Sequence, residues 1–293
     1  MIKQILLFAV LCCLLHANGN AQSPGTESQA LTPNPETNPV VQKKGSFFIT
    51  PFYEFTQFKN LKLTEHTNYY SLAEGESQSD FTQEVIDEYN DNYGTEYRNS
   101  MAGIKIGYQV LDGLGISGYI GVNHFDFKSW ISAENTQTLT TNNPALTLGL
   151  TVDYQKVITN RFIGLAMLSS NYCTTGSVVV VNNTGLDVVS SSSESMYWDA
   201  NLALAYRAGK FVPYAGAGFT QQFVHPVTSE ETHTTNDNGE PWINTTKFDS
   251  HYTGSSVYGF AGVEYRIDKN VSAYGRCTFV NPVRATLGFR IVL

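Results

Sequence analysis

Apolar residues alternate with polar or small residues over most of this sequence, and this period of two limits its folds more than any other feature. The clearest stretch is 145–157, in which Leu146, Leu148 and Leu150 are separated by threonine and glycine. Successive side chains on a β-strand point to opposite faces, so such a stretch has one apolar face and one polar face. The pattern predicts an all-β protein.

Ten stretches show this alternation, and each reaches the roughly nine to eleven residues that a tilted strand needs to cross a bilayer. Their predicted bounds are 47–58, 97–111, 115–128, 145–157, 162–172, 195–207, 211–224, 252–267, 270–280 and 283–293. Short turns join some of them, and long polar loops join others. The long loops fall near 59–96, 129–144, 173–194 and 225–251.

Short turns on one side and long loops on the other are typical of outer-membrane barrels, with the long loops outside the cell. The fold class predicted here is therefore all-β, a transmembrane antiparallel up-and-down β-barrel of about ten strands. Eight and twelve strands are the alternatives, because strand boundaries are the weakest part of such a reading.

A soluble barrel or β-sandwich also alternates, but its outer face should be rich in Lys, Glu and Asp. Here the polar face is mostly Gly, Ser, Thr, Asn and Tyr, and only 15% of all residues are charged. This composition favours lipid outside and a lumen filled by side chains. Aromatic residues near the strand ends are consistent with interfacial girdles. They are Tyr154, Trp198, Tyr206, Phe219 and Tyr265.

Residues 1–21 have the pattern of an export signal. Lys3 supplies the positive charge, 5–15 form a short apolar segment, and 19–21 are small residues where a signal peptidase cuts. Residues 22–46 contain four prolines among polar residues, which predicts a flexible linker before a barrel domain over 47–293. No later stretch approaches the roughly 18 to 20 apolar residues of a membrane helix, which excludes a helical membrane protein.

The chain is acidic, with 18 Lys and Arg against 26 Asp and Glu. A nucleic-acid-binding protein needs a basic face, so nucleic acid is excluded as a partner. The predicted loop 59–96 is strongly anionic, with nine Asp and Glu against Lys59 and Lys62. Such a loop would bind divalent cations that bridge lipopolysaccharide, or a basic extracellular ligand, or serve only as a solvated surface.

Several glycine- and aromatic-rich segments resemble the small outer-membrane β-barrel proteins of Gram-negative bacteria, the OmpA/OmpW-like barrels. The segments are 211–219 (FVPYAGAGF), 259–266 (GFAGVEYR), 273–276 (AYGR) and 287–290 (LGFR). The resemblance covers about 47–293 and implies an outer-membrane location, contact with lipid and lipopolysaccharide, and insertion by the barrel assembly machinery. The chain departs from many such barrels by ending in Leu293 where they end in Phe.

Charged residues at polar-face positions are the candidate site. They are Glu54, Lys105, Asp153, Asp199, Arg207, Glu264, Arg266, Arg276, Arg284 and Arg290. In a narrow barrel opposite charges form ion pairs with each other and interact with tyrosines, which would close the lumen. The tyrosines at such positions include Tyr119, Tyr214, Tyr258 and Tyr274. The alternative is a selectivity filter for small anions.

Signals for catalysis or metal binding are weak. Asp249 and His251 are similar to the Asp-x-His of omptin proteases, but the Asp-x-Asp that omptins pair with it is missing. His225, His233 and His251 share one region without Cys partners. We therefore predict no catalytic, cofactor-binding or metal-binding residues.

The predicted function is non-enzymatic: a structural or surface-interaction role in the outer membrane, with at most narrow passive permeability. A small-solute porin is the first alternative. An outer-membrane enzyme, either an omptin-like protease or a lipid hydrolase, is the second.

Overall fold

The computed structural model describes residues 44–72, 75–130, 136–141, 144–175, 178–182, 185–187, 191–235 and 241–293. The predicted signal peptide over 1–21 and the predicted linker up to residue 43 lie outside the described residues. The last linker residues are held against the barrel, because the amide of Lys44 donates to Asp112 Oδ1 (2.8 Å) and the amide of Gly45 donates to the carbonyl of Gln109 (2.9 Å).

Within these residues the chain forms fifteen β-strands and one helix. The strands are β1 (Phe47–Lys59), β2 (Lys62–Leu72), β3 (Gly75–Asp80), β4 (Thr95–Leu111), β5 (Leu114–Trp130), β6 (Thr136–Thr141), β7 (Ala145–Val157), β8 (Phe162–Thr175), β9 (Val178–Asn182), β10 (Gly185–Asp187), β11 (Ser191–Tyr206), β12 (Phe211–Thr235), β13 (Pro241–Arg266), β14 (Val271–Phe279) and β15 (Val283–Val292). The helix, α1, spans Gln83–Asn92.

Ten of the strands close into an antiparallel barrel in the order β1, β4, β5, β7, β8, β11, β12, β13, β14, β15 and back to β1. Closure runs through β1, whose Phe48 lies opposite Val292 of β15 and Gly107 of β4. The predicted up-and-down barrel of ten strands is confirmed, and the alternatives of eight and twelve are wrong.

The outer wall of the barrel carries a continuous apolar band. Leu202 is 67% exposed and Val257 is 73% exposed, and each lies between inward-facing neighbours. The exposed apolar residues of the band include Ile104, Ile120, Leu148, Leu150, Leu204, Val263 and Leu287. Exposure on this scale is costly in water and favourable in lipid, so the band is the membrane-spanning surface.

Aromatic pairs edge this band at the short-turn end of the barrel. The pairs Phe47–Tyr108, Phe162–Tyr206 and Phe211–Tyr265 have ring centroids 4.8, 5.3 and 4.8 Å apart. Trp198 and Phe219 form a further pair toward the other end of their strands, with centroids 5.1 Å apart. These pairs are the interfacial girdles of the barrel. Among the described residues no helix is long and apolar enough to cross a membrane.

Ordered structure extends the barrel beyond the band at the long-loop end. β2 pairs with β13 from Lys62↔Thr253 to Ser71↔Thr245, and β3 pairs with β2. On another side β6 pairs with β5, β9 with β6, and β10 with β9. We call these elements, with α1 and the parts of β12 and β13 over 225–251, the outer extension.

The prediction that 59–96, 129–144, 173–194 and 225–251 are loops is wrong, because each contains strands. In 59–96 and 225–251 most residues of these strands are polar at inward and outward positions alike, so the strands lack the apolar period of two that marks the membrane strands. The same reason explains why β12 and β13 are longer than predicted.

Candidate functional site

A group of buried apolar residues, which we call the outer apolar cluster, lies inside the barrel toward its long-loop end. Its members are Phe58, Leu61, Leu63, Ile86, Tyr97, Phe125, Phe127, Leu139, Val224 and Tyr252. They come from β1, β2, α1, β4, β5, β6, β12 and β13 and the turn before β2, and none is more than 7% exposed. Side chains from five of the ten barrel strands and from the outer extension therefore meet in one dry layer.

The segment between β1 and β4 supplies part of this layer because α1 is amphipathic. Ile86 and Tyr89 pack inward, while the acidic residues of the helix are exposed. Asn90 fixes the helix to β2 by two hydrogen bonds: its Nδ2 donates to the carbonyl of Leu63 and its Oδ1 accepts from the amide of Leu63, both at 2.8 Å. Thr95 donates its hydroxyl to the carbonyl of Leu61.

Polar bonds cross the lumen beside and below the cluster. The hydroxyls of Tyr97 and Ser195 lie 3.1 Å apart, which joins β4 to β11. Asn123 Nδ2 donates to Cys173 Sγ at 2.9 Å, which joins β5 to β8. These contacts fill the section of lumen that the apolar residues do not reach.

A charged triad of Glu54, Arg284 and Asp199 forms the next layer. Arg284 is 4% exposed, its Nη1 donates to Asp199 Oδ2, and its Nε lies 3.7 Å from Glu54 Oε1. Two hydroxyl groups donate hydrogen bonds to the Glu54 carboxylate: Tyr197 to Oε1 and Thr286 to Oε2, each at 3.1 Å. Arg284 Cζ also lies 4.9 Å from the ring centroid of Tyr197, so two carboxylates and a ring face hold the buried guanidinium.

Below the triad lies a cavity of about 260 Å³. Its lining includes Asp268, Lys269 and Asn270 of the short β13–β14 turn, so the cavity reaches the short-turn, periplasmic end of the barrel. Nine of the ten charged residues predicted for the lumen line it: Glu54, Lys105, Asp153, Asp199, Glu264, Arg266, Arg276, Arg284 and Arg290.

Arg207 is the tenth predicted residue, and it does not line this cavity. It lies just beyond the end of β11, at the turn to β12, where its amide donates to the carbonyl of Arg161 at 2.8 Å. The predicted strand ran to Arg207, whereas β11 ends one residue earlier, at Tyr206.

Three lumen cations lie over aromatic rings. Arg276 Cζ is 4.0 Å from the ring centroid of Phe260, Arg290 Cζ is 5.3 Å from that of Phe48, and Lys105 Nζ is 5.7 Å from that of Tyr119. Such contacts stabilise each cation by about 0.5 to 2 kcal/mol. Ring faces therefore help to hold these three cations.

Arg276 shows how amides join this network. Its Nη2 donates to Asn201 Oδ1 at 2.7 Å and lies 3.3 Å from the hydroxyl of Tyr258, which itself donates to Asn201 Oδ1 at 2.7 Å. Sequence reasoning named Arg276 and Tyr258 but missed Asn201 and Tyr197. Both occupy inward positions of β11, so the alternation predicts that they face the lumen. It does not predict which residue each one contacts, because that depends on the strand register.

Asp249 and His251 lie on the outside of the wall, since Ser250 between them is buried and its hydroxyl lies 2.7 Å from His66 Nδ1. Burial lowers the pKa of His66, although Asn68 and Asp249 act in the opposite direction. His225 joins the outer pair, with its ring stacked on that of His251 at a centroid distance of 3.9 Å. Nothing can be added for His233, whose side chain lies outside the described residues.

No known protein-family pattern matches this sequence, and no curated protein matches it. Solved outer-membrane barrels are similar in structure. The β domain of the Bordetella autotransporter BrkA has a TM-score of 0.41 at 10% identity, over 86% of this chain and all of that one. OprG from Pseudomonas aeruginosa has a TM-score of 0.35 at 12% identity, over 87% and 99%. The protease OmpT from Escherichia coli has a TM-score of 0.37 at 8% identity, over 86% and 100%.

The architecture itself decides the class. A closed ten-stranded barrel leaves no unpaired strand edge in the lipid, and its apolar band and aromatic girdles face the bilayer. The chain is an outer-membrane β-barrel protein of the Gram-negative cell envelope, with the fold that its resemblance to the OmpA/OmpW-like barrels implied.

Proposed function

We propose that this protein is a non-enzymatic outer-membrane barrel with a sealed lumen, and that its outer extension does its work at the cell surface in a structural or interaction role. The observation that carries the proposal is the outer apolar cluster. Ten side chains that are each at most 7% exposed pack together inside the barrel toward its long-loop end, and the Glu54–Arg284–Asp199 triad lies below them. An aqueous pore would need a continuous polar path at this level.

The surface available for interaction is acidic. The exposed side of α1 presents Glu84, Asp87, Glu88 and Asp91, and Asp80 precedes it. A helix that is anchored on its apolar side and charged on its outer side suits contact with cationic groups. Divalent cations that bridge lipopolysaccharide phosphates, or a basic protein, have the matching chemistry.

The position of Asp249 and His251 supports the non-enzymatic part of the proposal. Both lie on the outer wall, whereas an omptin-like mechanism needs its Asp-x-His to face a second acidic pair across a cleft. Ser250, which does face inward, is bonded to His66.

Single-channel recording tests the sealed lumen. The mature chain is refolded in detergent, inserted in a planar bilayer and compared with an established porin in the same membrane. Folding is checked by the heat-dependent shift in gel mobility that closed barrels show. We expect no discrete conductance steps from the wild type.

A variant designed to open the lumen provides the internal control. Ile86→Asp places a charge in the outer apolar cluster, and Glu54→Ala, Asp199→Ala and Arg284→Ala together remove the triad without leaving a lone buried charge. We expect steps from the combined variant. Steps from the wild type, altered by Arg276→Ala, would instead identify a small-solute channel and overturn the proposal.

A further inference from the structure

We propose that His225, Asp249 and His251, completed by Glu65, form a binding site for a divalent transition-metal ion of the zinc class on the outside of the outer extension. Among the described residues these first three form the one group of His, Cys, Asp or Glu side chains whose ligand atoms lie close enough to share an ion. The inference is independent of whether the lumen conducts.

The geometry of adjacent strands creates this group. His225 on β12 and His251 on β13 stack with their rings 15° from parallel. Asp249 is two residues from His251 on the same face, and its Oδ1 lies 2.7 Å from His225 Nε2 and 3.5 Å from His251 Nε2. All three ligand atoms are within 4.8 Å of one another.

These distances are close to those of a tetrahedral site, but binding also requires the two imidazoles to rotate apart, because each Nε2 lone pair lies in the plane of its ring and the rings are 15° from parallel. With metal–ligand bonds of about 2.0 to 2.2 Å, two donors of a tetrahedral site lie about 3.4 Å apart. The separation of Asp249 Oδ1 and His251 Nε2, 3.5 Å, is close to this value, and the 2.7 Å contact to His225 Nε2 must open by about 0.7 Å. That contact is a hydrogen bond, so the ion would replace a proton between the same two atoms.

A fourth donor is available from a third strand. Glu65 of β2 lies opposite His251, and its Oε2 is 4.0 Å from His251 Nε2. Its side chain is 76% exposed and so can turn toward an ion. The other oxygen of Asp249 is 4.0 Å from Lys247 Nζ, which leaves Oδ1 as a monodentate ligand for the histidine side.

The ligand set selects the class of metal. Two imidazoles and two carboxylates suit Zn²⁺, and also Cu²⁺ or Ni²⁺, whereas Ca²⁺ and Mg²⁺ are bound by oxygen ligands alone. The three side chains are 21 to 44% exposed, so an ion can enter from the solvent without unfolding the extension.

The site lies beyond the apolar band. Outward positions of β13 change from Val257, within the band, to Ser255 and Thr253 before they reach His251. An ion bound there would join β12, β13 and β2 and so fix the extension where it leaves the membrane surface.

Isothermal titration with Zn²⁺ alone tests the site. The chain must be refolded without a histidine tag and treated with a chelator before titration. We expect one Zn²⁺ per chain, not displaced by excess Ca²⁺ or Mg²⁺. His225→Ala, His251→Ala and Asp249→Asn should each weaken binding by at least about tenfold, and Glu65→Gln should weaken it less.

His124→Ala is the matched control. His124 is an exposed histidine 3.8 Å from Asp126, on the outward face of β5, and the two offer only a pair of ligands. We expect this variant to bind Zn²⁺ like the wild type. The proposal is wrong if the wild type does not bind one equivalent, or if His124→Ala loses as much affinity as His225→Ala.

A spectroscopic measurement separates a lost ligand from a lost fold. Cu²⁺ bound to the wild type should show electron paramagnetic resonance couplings to two imidazole nitrogens. The folded His225→Ala and His251→Ala variants, identified by their gel mobility, should show one. Identical spectra from the wild type and both variants would overturn the assignment even if affinities changed.

Discussion

Arg284 of β15 reaches Asp199 of β11, four strands away around the barrel, and the two side chains are 4% and 1% exposed. Desolvation opposes the burial of both charges, so the pair depends on its mutual hydrogen bond and on Glu54 and Thr56 around the guanidinium. Its main effect is to fix which parts of the wall face each other.

Loss of Arg284 should be costly. Arg284→Met leaves Asp199 and Glu54 buried without their cation, and we expect the free energy of unfolding to fall by about 3 to 5 kcal/mol. Reversible urea unfolding in lipid measures it. The control is Arg98→Met, which removes an exposed pair with Glu96 and should cost less than about 1 kcal/mol. Equal effects of the two substitutions would contradict this account of the triad.

Ile86 should control the docking of α1. Ile86→Ala removes buried apolar contacts and should weaken local docking by about 2 to 5 kcal/mol, while the barrel stays folded. Val85→Ala alters a neighbouring helix residue that is 42% exposed and should have little effect. The rate of proteolytic cleavage between residues 60 and 94 measures the difference, and unchanged cleavage of Ile86→Ala would show that the helix is held by other contacts.

Gly149 should be sensitive to the smallest side chain. A Cβ at this position would lie 2.0 Å from Cζ of Tyr119, which faces Gly149 across β5 and β7. We expect Gly149→Ala to destabilise the barrel by about 1 to 3 kcal/mol. Gly118→Ala, whose Cβ would meet nothing closer than 3.8 Å, is the control. Unfolding midpoints in urea compare the two variants, and a stable Gly149→Ala would mean that Tyr119 can move aside.

The depth of the band can be measured on one strand. Leu202 and Ser192 both face outward on β11, ten residues and therefore about 33 Å apart. Leu202→Arg should cost about 2 to 4 kcal/mol in a bilayer because it places a charge in hydrocarbon. Ser192→Arg, at the outer end of β11 beside the outer extension, should be nearly neutral. Refolding yield into lipid vesicles reports both, and similar yields would place the band elsewhere.

The sequence predicts the strands correctly where their outer face contacts lipid. An outer face that must be apolar imposes a period of two, so Leu150 outside and Arg284 inside follow from position alone. Ion-pair partners do not follow, because the meeting of Arg284 with Asp199 depends on the register of every strand between them.

Beyond the membrane the same reasoning fails for a physical reason. The outer parts of β12 and β13 have polar residues even at buried inward positions such as Thr228 and Ser250, so no apolar alternation marks them as strands. Ile86 lies buried within an acidic segment whose composition suggested a solvated loop. In the sequence His225 and His251 only share one polar region. The pairing of β12 with β13 is what stacks their rings.

The segment that carries Leu61, Leu63 and Ile86 into the outer apolar cluster is joined at both ends to neighbouring strands, since 60–94 leaves β1 and returns as β4. Its effective concentration at its own binding surface is therefore high, of millimolar order or above for a short connection. A soluble competitor at lower concentration would be displaced by the chain itself, whereas a single proteolytic cut would leave each fragment tethered at one end only. The outer apolar cluster is thus maintained by chain connectivity as well as by packing.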